Sequence, residues 1–286
     1  GIRDLVRSRG LGDVYKRQAY VRTDSFFDNS PLSSSGLPSD AELELLNPWR
    51  DQIPSEIFTE TFTPPKTDGS GNARKNLLKA KEILQEEGWI IKNDKLTKDG
   101  EEFKFEFLIV SPSDEKIALA YQSNLKKLGI TMEVRTVDSS QYQARLLNYD
   151  FDMIKRYWGV SLSPGNEQQF YWGSEVGKKD GSRNYPGINS PAIDALIEKL
   201  ISAKNREELT TAIHALDRVL LWGHYVVPLY HSNKDRIAYW DFFEYPEEIP
   251  LYGIVIESWW VNNCLLYTSD AADEGLGVDL GGRRII

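Results

Sequence analysis

Cysteine, histidine and methionine are nearly missing: the 286 residues hold one Cys, three His and two Met. A lone Cys264 excludes an internal disulfide and a multi-thiolate metal site, and it is compatible with an oxidising compartment. His214, His224 and His231 are too irregularly spaced for a zinc site, and His214 falls within a helical stripe, so each reads as structural. No apolar run approaches the ~20 residues that span a bilayer. There is no glycine-rich phosphate loop and no serine in a nucleophile elbow. Basic residues fall short of acidic ones, 34 against 43, for a net charge of −9. That balance argues against a phosphate-backbone partner.

The two ends read as foreign to the gene. Asp13-Val-Tyr-Lys-Arg-Gln18 can be written GAT GTG TAT AAG AGA CAG, and the reverse complement, one frame over, encodes Cys264-Leu-Leu-Tyr-Thr-Ser269. Inverted complementarity between termini resembles the mosaic ends of a transposase-based sequencing library. Residues 1–18 and 264–286 are therefore expected to be adapter-derived, and such segments are set aside before fold reasoning. Removing the seven basic and six acidic residues of these flanks leaves 27 and 37 over residues 19–263, a net charge of −10. The only cysteine leaves with them.

What is present is aromatic and patterned. Aromatics make up 12 % of the chain, including eight Trp, which points to carbohydrate or peptide recognition more than to a small metabolite. Residues 19–72 hold Pro31, Pro38, Pro48, Pro54, Pro64 and Pro65 and predict an irregular arm with short helices, the best starting at a Ser39/Glu42 capping box. Asp68 to Asn72 reads as a flexible turn. Residues 73–238 predict an α/β ligand-binding lobe. In it, Arg74 to Glu87 is a helix with Leu77, Leu78, Ile83 and Leu84 inward, and Trp89 to Leu96 and Glu102 to Val110 are strands. A helix opened by Ser113-Asp-Glu115 follows, then a strand at Ile130 to Val134, a helix at Ser139 to Leu147 and a strand at Phe151 to Tyr157. This β-α-β-α-β order calls for parallel strands. Two helices follow, one from Ser190-Pro191 with Ile193, Leu196, Ile197, Leu200 and Ile201 inward, the other from Arg206 to Trp222; short strands are expected at Tyr225 to Tyr230 and Arg236 to Tyr239. Residues 239–263 form an aromatic, proline-punctuated returning segment.

The ligand is expected in the loop that leaves the Phe151 to Tyr157 strand and runs to Tyr185, because ligands collect at the C-terminal ends of strands in α/β sheets. Trp158, Phe170, Tyr171, Trp172 and Tyr185 supply flat apolar area; Ser161, Ser163, Asn166, Glu167, Gln168, Gln169 and Asn184 supply hydrogen-bonding groups. Arg156 and Arg183 are placed to clamp a carboxylate or phosphate. Two other readings stay open: a structural loop that caps the sheet, and ion pairs of these arginines with Glu167 or Glu175. The candidate site is Arg156, Trp158, Ser161, Ser163, Asn166, Glu167, Trp172, Arg183 and Tyr185, with no catalytic or metal-ligating residue and no cofactor. Asp150, Asp152 and Glu167 are the carboxylates a glycosidase would need, yet nothing fixes two of them at a set separation.

Several stretches carry a resemblance: Gly36-Leu-Pro-Ser39, Arg135-Thr-Val-Asp138, Phe151-Asp-Met-Ile154, Ser161-Leu-Ser-Pro-Gly-Asn-Glu167, Trp172-Gly-Ser174, Gly181-Ser-Arg-Asn-Tyr185 and Ala215-Leu-Asp-Arg-Val-Leu-Leu-Trp222 with Tyr225-Val-Val-Pro228. Together they resemble the C-terminal half of extracellular solute-binding proteins of family 5, serving peptide and nickel ABC importers, and most closely the microcin C and oligopeptide branch. The resemblance implies an α/β fragment of a two-lobed periplasmic binding protein of type II, mostly its second lobe. It implies a monomer that captures oligopeptides or peptide-like compounds in the periplasm and hands them to a permease and ATPase, with no nucleic acid as partner. A signal peptide would lie in the missing N-terminal part. Peptide-binding relatives anchor the ligand's amino terminus with an Asp-Tyr pair shortly before this loop's proline; here Val160 and Ser161 stand there, so a blocked amine or an anchoring role for Glu167 is expected. The alternative function is a secreted glycan or peptide hydrolase.

Overall fold

The computed structural model describes residues 20–66, 73–232, 237–251 and 253–262, and the backbone of 283–285. The turn expected at Asp68 to Asn72 lies outside the described residues. The chain divides into two compact units, one centred on residues 22–231 and one on residues 232–286.

In the first unit, α1 (Asp40–Leu46) carries the expected capping box, Ser39 accepting from the Glu42 amide while Glu42 reaches back to Ser39. Next, α2 (Arg74–Glu86) leads to Gly88, whose φ of +85° suits a helix stop. Leu77 and Leu84 pack inward, but Leu78 and Ile83 are half exposed, since only a narrow stripe of this outer helix meets the sheet.

The strand expected over Trp89 to Leu96 is instead a hairpin, β1 (Ile90–Lys92) against β2 (Lys95–Lys98). Asn93 and Asp94 both take positive φ, 52° and 62°, which a two-residue hairpin turn requires. After β3 (Glu101–Glu102) comes β4 (Lys104–Ile109), the middle strand of a parallel sheet. On one side it pairs with β5 (Thr131–Thr136), on the other with β6 (Met153–Ile154).

Alternation along β4 sends its side chains to the two faces of the sheet. Phe103, Phe105, Phe107 and Ile109 join Ala118 and Leu125 of α3 (Pro112–Lys126), while Leu108 meets Tyr142 and Leu146 of α4 (Ser139–Leu147). Helices thus cover both faces, as parallel sheets require. The cap of α3 is Ser111 with Pro112 at the first position, two residues before the expected start, and Asp138 caps α4. Extended pairing in the expected Phe151 to Tyr157 strand is confined to Met153–Ile154. Beyond it the chain is already loop.

A second core joins α7 (Pro191–Ile201) and α8 (Arg206–Trp222) to the proline-rich arm. Ile193, Leu196, Ile197, Leu200, Ile213, Leu216 and Leu220 pack with Phe27, Leu32, Leu46, Ile53 and Ile57. Ile201 is instead partly exposed at the helix end. Two adjacent α8 charges fasten the arm. Asp217 accepts from the Ser25 and Ser34 hydroxyls and from the amides of Phe26 and Ser34. Arg218 donates to Glu42 at 2.6 Å and to the carbonyls of Ser35, Gly36 and Leu37. His214 completes the cluster, 3.7 Å from Glu42. Of Tyr225 to Tyr230, only Tyr230, with His231, is strand.

The second unit is small and aromatic. β7 (Ala238–Trp240) pairs antiparallel with β10 (Arg283–Ile285), and β8 (Phe243–Glu244) with β9 (Trp260–Val261). Tyr239, Tyr245 and Trp259 pack edge to face, and Glu244 accepts from the Trp260 indole and the Asn262 amide. Arg283–Ile285 falls in the stretch expected to be adapter-derived.

Candidate functional site

The chain crosses from one side of β4 to the other between β5 and β6, so the C-terminal ends of β4 and β6 flank a switch point. Lys155 and Arg156 leave β6 there. Lys155 is held by Asp114 in the first turn of α3. Arg156 turns the other way: its guanidinium donates to the Tyr185 hydroxyl at 3.0 Å and lies 4.8 Å from that ring's centre. Its Nε is buried without a hydrogen bond. Burial pushes the nearby Tyr142 phenol up, and the Arg156 charge pulls against that shift.

Around this pair the loop is laced to itself. Trp158 donates its indole N–H to the Arg183 carbonyl at 3.4 Å and packs 4.9 Å from Trp172. Tyr185 faces Phe151 and Tyr149, and the Tyr149 hydroxyl bonds that of Ser182. Ser161 accepts from the Ser163 amide, Glu167 accepts from the Gly165 amide, and Asn166 is exposed at the start of α5 (Glu167–Trp172). Arg206 of α8 ties the loop down through the Leu162 carbonyl. Arg156, Trp158, Arg183 and Tyr185 are therefore brought together by direct contacts, while Ser161, Ser163, Asn166 and Glu167 line the preceding turn.

Trp172 is placed differently. It is 2 % exposed, bonded to Gln168 and packed on Phe26 and Tyr171, at the centre of the second core. Gln168 and Asn184 are likewise buried and bonded internally. The sequence gives no signal separating these from the surface members of the same loop, because both sets are aromatic or amide.

Among the described residues, neither Arg156 nor Arg183 forms an ion pair: Glu175 pairs with Lys178, and Glu167 takes the Gly165 amide. The acidic candidates are engaged as well. Asp150 is paired with Arg145 at 2.8 Å and Asp152 accepts from the Glu106 amide. A separate surface groove of about 300 Å³ lies between α2 and the β1–β2 hairpin, lined by Leu84, Trp89, Ile90, Ile91, Leu96 and Leu128, and includes none of the site residues.

Comparison with known proteins identifies the family. Residues 47–180 match the family described as bacterial extracellular solute-binding proteins, family 5 Middle. The chain belongs to that family. It is 42 % identical over 244 residues to a probable peptide-binding protein, YejA, of Agrobacterium fabrum, covering 84 % of this chain and 40 % of that one. It is 41 % identical over 244 residues to the peptidoglycan-binding protein YepA of the same organism, covering 85 % of this chain and 40 % of YepA. The chain thus spans well under half the length of these family members. In structure it resembles the oligopeptide-binding protein AppA of Bacillus subtilis, solved with a nonapeptide, at a TM-score of 0.52 and 22 % identity over 77 % of this chain and 45 % of AppA. That likeness gives the fold, the mixed α/β architecture of family 5 periplasmic binding proteins.

Proposed function

We propose that the protein is the substrate-binding component of an ABC importer that captures anionic, amine-blocked peptides or peptide-like compounds in the periplasm and delivers them to a permease and ATPase. One observation carries this reading: Arg156, held against Tyr185 of the aromatic loop, and the exposed Arg183 next to it in that loop have no carboxylate partner among the described residues. A guanidinium without a carboxylate partner keeps donors that a ligand carboxylate can take bidentately. The missing Asp of the Asp-Tyr anchor, replaced by Val160 and Ser161, removes the partner a free ammonium needs. Relatives named as a probable peptide-binding protein and as a peptidoglycan-binding protein support a peptide or peptide-like ligand. The second lobe would provide this wall of the site and the rest of the protein the other, closure being driven by contacts made only in the closed form.

Residues 19–263 are the gene-derived part in this reading. The relatives align over 243 to 245 residues, the length that remains once both flanks are removed.

The test is calorimetry on the full-length protein from the intact locus, with N-acetyl-trialanine and free trialanine as probes. Tighter binding of the acetylated peptide, lost in Arg156→Met, is expected. Preference for the free amine overturns the blocked-amine reading, and release of cleaved probe overturns the binding-protein reading in favour of a hydrolase.

A further inference from the structure

Two contacts of the candidate site, Trp158 with Arg183 and Arg156 with Tyr185, flank one buried residue. Asn184 is fully buried, with Arg183 and Tyr185 on either side of it in sequence. Its amide nitrogen donates to the carbonyls of Gly173 at 3.1 Å and Ile188 at 2.8 Å, and its oxygen accepts from the Ile188 amide at 2.9 Å. Its own backbone N–H donates to Ser182 at 3.3 Å. One side chain thereby closes the turn over residues 182–188 and joins it to the end of α5 and the approach to α7. The fit is close, since a Cβ on Gly177 would meet the Asn184 amide nitrogen at 2.7 Å.

The outward groups depend on that closure. The Arg183 carbonyl, one peptide before Asn184, accepts the Trp158 indole, and the Tyr185 hydroxyl, one residue after, accepts from Arg156. Moving the Asn184 backbone moves both contacts at once.

We propose that Asn184 is the positioning residue of the ligand site, fixing the Trp158–Arg183 and Arg156–Tyr185 contacts in the geometry that receives ligand. The proposal rests on the ligand-binding reading above. A side chain with two donors and one acceptor in this arrangement has no close substitute: Asp keeps the acceptor but turns an oxygen toward two carbonyls, and Ala leaves three backbone groups unpaired.

The test uses the full-length protein labelled with 5-fluorotryptophan, the Trp158 and Trp89 resonances being assigned through Trp158→Phe and Trp89→Phe. Trp89 sits in the other core and reports overall folding. Asn184→Ala is expected to shift the Trp158 resonance, leave that of Trp89 in place, and weaken N-acetyl-trialanine binding about tenfold or more. Asn184→Asp is expected to show the same defect at pH 8 and to recover toward wild type at pH 5, because burial against two carbonyls raises the new carboxyl above its ordinary ~3.9 and a protonated carboxyl regains one donor. Should Asn184→Ala fail to fold, the pH recovery of Asn184→Asp decides. Movement of both resonances together, or none at Trp158, overturns the positioning role. If wild type binds neither probe peptide, the functional reading fails while the Trp158 resonance still decides the role of Asn184.

Discussion

Arg156 and Arg218 carry the same kind of charge to different ends, the first proposed to receive a ligand and the second holding Glu42 and the arm. Arg156 donates to the Tyr185 phenol and lays a face on that ring, and it makes no ion pair among the described residues. Replacing it with Lys keeps the charge but loses the planar fork, and probe affinity is expected to fall tenfold or more by calorimetry. Tyr185→Phe removes only the hydroxyl acceptor and is expected to cost roughly fivefold, the worth of about 1 kcal/mol. Glu42 is spent on the fold. Burial pushes its carboxyl up, but hydrogen bonds from His214, Arg218 and Ser39 and the Arg218 charge pull harder, down to about 2. With the folded value below the ordinary 4.5, this pair stabilises above that pH by about 3 kcal/mol, and the contribution is lost as pH falls toward 2. His214 has the opposite sign: the bond to Glu42 raises it against burial, so its contribution is present below 6.5 and fades as pH rises past the raised value. The Tm gap between wild type and Glu42→Gln should therefore be widest between about pH 4.5 and 6.5 and should close in acid. A gap that stays constant to pH 2 contradicts the assignment.

At the scale of elements, the Ser39 and Ser190 caps were legible because their rules are local, whereas the caps at Ser111 and Asp138 came from the structure. Ser39 with Glu42, Asp138 before α4, and Ser190 with Pro191 before α7 each satisfy amides within three residues. Ser190→Ala should cost about 1 kcal/mol and lower the urea midpoint without changing the slope. Gly129 needs more than its neighbours show. Its φ is +78°, and a Cβ there would meet the Leu96 backbone nitrogen at 2.8 Å, in the contact where that nitrogen donates to the Gly129 carbonyl. Gly129→Ala is expected to destabilise by more than the roughly 1 kcal/mol of an ordinary glycine replacement, read by the same denaturation. The hairpin at Asn93-Asp94 escaped because Ile90, Ile91 and Leu96 look like one apolar strand. Two consecutive left-handed residues break that strand, and Asn-Asp is a weaker sign of them than a glycine pair.

For the whole molecule, binding of a ligand to the folded form alone must raise its stability, by about 2.7 kcal/mol at a hundred times Kd. Full-length protein should therefore gain several degrees in Tm with saturating N-acetyl-trialanine, and much less in Arg156→Met. Long reads across both junctions that avoid the adapter should carry the frame upstream of Ala19 into the rest of a solute-binding protein, beside permease and ATPase genes. A locus that encodes residues 1–18 natively would overturn the expectation that they are adapter-derived. Family membership and the parallel α/β order were legible from sequence, because periodicity, caps and motif strings are written in neighbouring residues. Which members of the aromatic loop face outward was decided only by the tertiary structure. Trp172 and Asn184 are chemically equal to Trp158 and Asn166, yet Trp172 is packed into the core with α7, α8 and the arm, Asn184 is closed in by Gly173, Gly177 and Ile188, Trp158 is half-buried and Asn166 exposed. Burial is set by what packs across from a residue, often more than a hundred positions away, and no local pattern carries that distance.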